Sequence, residues 1–158
     1  MSDDTPIATV RWERGEAVFT DGRYPRAHHW IFDGLTVAGS SSPAVVRLPL
    51  SQADAVDPEE ALAASLCACH MLFVLDFARK AGFRIDLYED KVTAEFGKTE
   101  RGKTWISRVA LNPAIVFSGD KVPTAQDVAA LHEKAHDECF VANSLRSEVV
   151  ITPSFSLA

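Results

Sequence analysis

Apolar and polar positions along the chain fall into segments of two periods. Between Asp57 and Phe83, in DPEEALAASLCACHMLFVLDFARKAGF, the residues from Ala61 to Leu75 carry no charge apart from a possible one on His70. A helix with no solvated face is a buried helix. Its start is well marked: Asp57 suits the N-cap, Pro58 the first helical position, and Glu60 stands where a carboxylate reaches back to the cap's backbone N–H. Gly82 gives its stop, with Arg79 and Lys80 in the last turn where the helix dipole favours them. The charges at Asp76, Arg79 and Lys80 interrupt the run before about 20 apolar residues have passed, so a bilayer span is not expected.

Elsewhere the period is two. Residues 8–13 and 15–20 read as a short hairpin bent at Arg14 and Gly15, HWIFD (29–33) as a strand, and LTVAGSSSP as a short strand running into a turn. Residues 43–56 form a polar loop entering the central helix. Residues 85–97 and 104–117 read as two long strands joined by KTERGK, whose Gly102 suits a hairpin connection. Residues 124–138 predict a second helix capped by Thr124, with Asp127 three residues on, and 140–146 a short turn after it. The last run, SEVVITPSFSL, is a terminal strand, placed at a sheet edge by Pro153. These elements make an α+β fold, mostly antiparallel sheet around one long buried helix. One sheet covers one face of such a helix, so a second subunit is the expected source of further cover.

Composition narrows the function. At 158 residues the chain is expected to be a single domain over 1–158. A net charge of −6 with scattered Lys and Arg argues against nucleic acid as a partner. MSDDTPIATV has neither a basic n-region nor an apolar h-region, so no secretory signal is expected. Three cysteines fit a reducing compartment better than a disulfide framework, which points to the cytoplasm.

The candidate chemistry is in those thiols. Cys67 and Cys69 lie two apart in the helix, about 200° around its axis, and so do not readily serve one site. Cys139 shares a helical face with His132 and His136. A lone cysteine is usually a small hydrophobe, but this face supports two mechanisms. One is metal binding, with His132, His136, Cys139 and a central-helix cysteine as a tetrahedral set on a non-catalytic metal- or small-molecule-binding protein. The other is thiol redox chemistry, in which Cys69 attacks an oxidant and Cys139 resolves the sulfenic acid. That route needs a cation near Cys69, and His136, Arg23 and Arg26 are the candidates.

DPEEALAASLCACHM resembles the helix motif of the OsmC/Ohr family of organic hydroperoxide reductases, and ECFVANSLRSEV resembles its second-cysteine motif. GRYPRAHHW and the terminal strand suit an OsmC-like subgroup. The resemblance covers nearly the whole chain. It implies an intertwined homodimer and a thiol-dependent peroxidase that reduces organic hydroperoxides to alcohols, with no metal or cofactor. It further implies Cys69 as peroxidatic cysteine, Cys139 as resolving cysteine, Glu59 as the active-site carboxylate, and an N-terminal arginine, Arg26 ahead of Arg23, holding the thiolate. An external dithiol, lipoyl-type by the same resemblance, reopens the disulfide; neither membrane nor nucleic acid is a partner. Cys67 departs from the pattern, where a small residue is usual, and is either a packing residue or a competing thiol. His70, His132 and His136 depart from the hydroperoxide-resistance branch. In an unbroken helix Glu59 and Cys69 stand about 15 Å apart along the axis, so both serve one site only if the helix breaks or Glu59 comes from the other subunit; the second is preferred.

Overall fold

The computed structural model describes residues 7–158, so the MSDDTP stretch of the N-terminus lies outside the described residues. The chain divides into two compact units, Met1–Ala61 and Leu62–Ala158. The fold is α+β.

In the first unit, β1 (Thr9–Arg11), β2 (His28–Phe32) and β3 (Leu35–Gly39) form an antiparallel sheet in that order. Thr9 pairs with Ile31 and Arg11 with His29, so the expected hairpin between 8–13 and 15–20 does not form. Residues 15–20 are turns and bends, with positive φ at Gly15 (59°) and Phe19 (76°). Their apolar side chains serve a local cluster instead: Phe19 stacks on Tyr24 at 4.7 Å, and Trp12 packs on both while donating from Nε1 to Pro25 O at 2.8 Å. Gly39 is required by close approach, because a Cβ there would stand 2.5 Å from His28 Nε2. Beyond it the buried Ser40 Oγ accepts from the Gln52 backbone N–H at 2.9 Å, which ties the polar loop down before the long helix.

That helix, α1, runs unbroken over Pro58–Lys80. Its capping box forms as the sequence predicts, Glu60 N donating to Asp57 Oδ1 at 2.8 Å and Asp57 N to Glu60 Oε2 at 3.1 Å. The charges near its end do not shorten it: at 23 residues it is long and apolar enough by length and composition to cross a membrane. In this fold it lies instead against protein, through a stripe of Ala63, Leu66, His70, Val74 and Ala78. Burial on all sides, however, is not met within one chain. Ala64, Ser65, Ala68 and Leu72 are exposed, Leu72 by 61%.

In the second unit each expected long strand is two. Residues 85–97 divide into β4 (Arg84–Asp90) and β5 (Thr93–Lys98), and 104–117 into β6 (Thr104–Leu111) and β7 (Pro113–Ser118). The last run divides at Thr152 and Pro153 into β8 (Glu148–Ile151) and β9 (Ser154–Leu157). The halves sort into two sheets, β4-β7-β9 and β5-β6-β8, with β8 and β9 at edges and parallel to their neighbours. Asn112 pins the corner: its N–H donates to Asp90 Oδ1 at 2.7 Å and its Nδ2 to Lys91 O at 3.1 Å. Pro113, with no N–H to donate, then starts the second half.

Two further helices complete the unit. α2 (Ala125–Glu138) carries the expected capping box between Thr124 and Asp127, and α3 (Phe140–Asn143) is a single turn. The buried stripe of α1 joins two cores. Val74 and Ala78 pack with Phe83, Ile115, Phe117, Val128, Leu131 and Ala135, while Leu66 packs with Val109, Leu111 and Cys139. Cys139 therefore enters the site from the core, fully buried.

Candidate functional site

Cys139 is at once the C-cap of α2 and the N-cap of α3. Its backbone is extended (φ −68°, ψ 111°), which turns the chain between the helices and lets Sγ accept from the Ala142 N–H at 3.4 Å. Asn143 Nδ2, donating to Asp137 O at 2.8 Å, holds the turn closed. Cys69, on α1, packs against the same core cluster that holds Cys139. Burial pushes the Cys139 thiol up to about 11, the neighbouring Cys69 adds to the rise, and the Ala142 N–H opposes it. At neutral pH Cys139 is a thiol. Cys69 is half-buried rather than sealed.

Cys67 points to a different environment. Burial first, and then the nearby Asp90 carboxylate, push its thiol up to about 12. A raised thiol of this kind disfavours the thiolate at neutral pH. The neighbouring Tyr88 hydroxyl is also raised, by burial first and then by Asp90. Asp90 and Tyr88 were not legible as partners of Cys67 in the sequence, because only the β4 corner brings them to it.

The other expected site residues lie in or at the edge of the first unit. Arg26 stacks its guanidinium over the Tyr24 ring, 3.6 Å from the centroid, and donates from Nη1 to Tyr24 O and, at 3.3 Å, to Gly22 O. Its backbone N–H donates to Leu50 O at 2.7 Å, and its carbonyl meets His28 Nδ1 at 2.8 Å. Because Trp30 Nε1 donates to His28 Nε2 at 2.7 Å, His28 carries its proton on Nδ1 and donates it to Arg26 O. Arg23 is exposed, its backbone N–H donating to Asp21 Oδ1 at 2.9 Å. Glu59 occupies the first turn of α1. Among the described residues, Glu59 forms an ion pair with neither arginine. Since α1 does not break, Glu59 and Cys69 of one chain keep the separation that ten helical residues impose, about 15 Å.

The tetrahedral set of His132, His136, Cys139 and a central-helix cysteine is not assembled. Among the described residues no group of three or more His, Cys, Asp or Glu is placed to hold a metal. Cys139 Sγ is taken up by the α3 cap, and His132 Nδ1 lies 2.8 Å from His70 Nε2 in a hydrogen bond between α1 and α2. His70 and His132 are 1% and 3% exposed, and burial above all lowers both to about 4. An unfolded chain takes up these protons near 6.5 and the folded chain only near 4, so stability is lost as pH falls through that interval. In chelator-treated protein, chemical denaturation at pH 7 and pH 5 is expected to differ by on the order of 2–4 kcal/mol from this pair. A His70→Gln/His132→Gln double variant is expected to lose most of that difference.

The fold is α+β, and it packs a cysteine of the long helix into the same core cluster as a second cysteine at a helix junction. The chain belongs to the OsmC-like protein family, whose model matches residues 51–154. It is similar to an OsmC-like protein of unknown function from Vibrio cholerae, at 44% identity, a TM-score of 0.92, and coverage of 98% of this chain and 100% of that one. An organic hydroperoxide resistance protein from Elizabethkingia anophelis shares the fold at 19% identity and a TM-score of 0.65, covering 100% of both chains. The organic hydroperoxide resistance protein OhrB of Bacillus subtilis shares it at 18% identity and 0.59, covering 94% of this chain and 96% of that one. No curated protein matches the sequence significantly. The likenesses to these two hydroperoxide resistance proteins show the fold.

Proposed function

We propose that the protein, acting as a single OsmC-like domain over 1–158, is a thiol-dependent peroxidase that reduces organic hydroperoxides. The observation that carries this reading is the packing of Cys69 and Cys139 in one core cluster, Cys139 protonated by its surroundings and Cys69 less enclosed. Cys69 thiolate attacks the outer peroxide oxygen, the O–O bond breaks, and the alkoxide takes a proton to leave as alcohol. The Cys69 sulfenic acid is then attacked by Cys139, whose proton leaves with the hydroxide as water while the S–S bond forms. An external dithiol, lipoyl-type by family resemblance, reduces that bond and returns both thiols. Leu66, Met71, Leu72 and Phe73 around Cys69 on α1 favour an organic over a hydrophilic peroxide.

Glu59 and an arginine, Arg26 ahead of Arg23, complete the site from a second subunit. Arginine keeps its charge at any working pH, favours thiolate over thiol, and is aligned by a carboxylate through a bidentate pair. Two observations support a dimer: the exposed apolar stripe of α1 around Leu72, and Phe140, 75% exposed while edge-on to Phe73 at 5.5 Å. Leu72→Glu is expected to give a monomer in analytical ultracentrifugation and to lose peroxide turnover. A dimer that persists and turns over normally removes the intersubunit site. Three free cysteines accord with a cytoplasmic setting.

The test is stoichiometric. Reduced protein given one equivalent of cumene hydroperoxide per chain is expected to form one equivalent of alcohol and lose two of its three thiols. Alcohol formation without thiol loss, or no reaction, overturns the proposal.

A further inference from the structure

The sequence HEKAH (132–136) on α2 is not used by the thiol chemistry. Two histidines four apart on a helix present their rings from one face, the spacing at which helices hold a divalent transition metal. Here that face lines a cavity of about 260 Å³, bounded by Ala129, His132, Glu133 and His136 of α2 and by Ile151 and Pro153 at the β8–β9 corner.

Two imidazole nitrogens of the lining residues are buried without a partner among the described residues. His132 is 3% exposed, yet its Nε2 has no hydrogen-bond partner among the described residues, a costly condition for a buried polar atom. Its other nitrogen, Nδ1, is engaged by His70 Nε2 at 2.8 Å, and the two rings stack 16° from parallel. When His132 donates Nδ1–H across that bond, its Nε2 carries a free lone pair. Such an outer partner is what fixes the tautomer and orientation of a metal-ligating imidazole. His136 borders the same cavity, and its buried Nδ1 is likewise unpartnered.

We propose that His132 and His136 form a two-histidine site for a borderline divalent transition ion, of which Zn²⁺ is the probe, with water in the remaining positions. The donor set selects the class, since imidazole suits zinc, copper and nickel, whereas calcium and magnesium require oxygen cages. The site uses neither Cys69 nor Cys139, and so differs from the cysteine-containing set that the structure does not assemble. With no third His, Cys, Asp or Glu among the described residues placed to complete it, the site is one of binding, and the hydrolysis associated with this spacing, which needs three protein ligands, is not part of the proposal.

The experiment is zinc titration of the reduced, full-length protein, followed by the imidazole ¹⁵N resonances and repeated with Co²⁺ by absorption. Expected are one equivalent bound per chain, coordination shifts at His132 and His136, and no thiolate-to-cobalt charge-transfer band. His136→Ala, at a half-buried position, is expected to keep the far-ultraviolet circular dichroism of the parent and weaken binding at least about tenfold, about 1.4 kcal/mol. Binding unchanged in that variant, a cobalt–thiolate band, or no zinc binding below millimolar concentration each overturns the proposal. None of these outcomes depends on peroxide turnover.

Discussion

Replacing Cys69 by Ser is expected to reduce kcat/KM for cumene hydroperoxide at least about a thousandfold, equivalent to about 4 kcal/mol of transition-state stabilisation. A serine hydroxyl is far less ionised than a thiol and cannot pass through a sulfenic acid, so both nucleophile and intermediate are lost. The fold has little reason to change, because Cys69 is half-buried and the substitution removes little volume. Steady-state consumption with a dithiol reductant is the measurement. Residual turnover near the parent rate would transfer the chemistry to another group, and Cys67, held as a thiol by burial and Asp90, is poorly suited to accept it.

The second large effect is expected at Cys139→Ser, and it differs in kind. The first chemical step should survive, giving one alcohol per chain, while the sulfenic acid at Cys69 persists and is trapped by dimedone. Steady-state turnover should fall on the order of tenfold or more, since recycling then depends on direct attack by an external thiol. The substitution is mild for the backbone. Cys139 caps α3 by accepting the Ala142 N–H, and a serine hydroxyl is a better N-cap acceptor than a sulfur. Loss of the first alcohol as well would mean that Cys139 contributes before the disulfide step.

The parts of this molecule legible in its sequence are those governed by neighbours in the chain. Both long helices were marked by caps three residues wide, Asp57 with Glu60 and Thr124 with Asp127, and both caps form. The strands were marked in type but not in extent. The corner between β4 and β5 depends on Asn112 binding Asp90 and Lys91 across more than twenty residues, which no alternation pattern encodes. Residues 15–20 read as a strand on the i, i+2 spacing of Ala17 and Phe19, yet Phe19 belongs to the cluster with Trp12 and Tyr24.

The site divides the same way. The two cysteines were singled out from the motifs around them, and the fold packs both into one core cluster. The partner of Cys67 could not be read, since Asp90 reaches it only through the sheet. His70 was conspicuous as a departure, but its bond to His132 joins residues 62 apart, so the spacing on α2 disclosed half of the cluster. Arg26 was singled out as a cation; its stacking on Tyr24 and its engagement by Leu50 and His28 depend on the folded loop.

The central claim is that Cys69 and Cys139 are redox partners. Peptide mass mapping of the protein after one equivalent of organic hydroperoxide, under conditions that block free thiols first, tests it most directly. The account predicts a single cross-linked peptide pair containing Cys69 and Cys139 of one chain, with Cys67 recovered in its blocked form. A cross-link through Cys67, or Cys69 oxidised while Cys139 remains free, would contradict it.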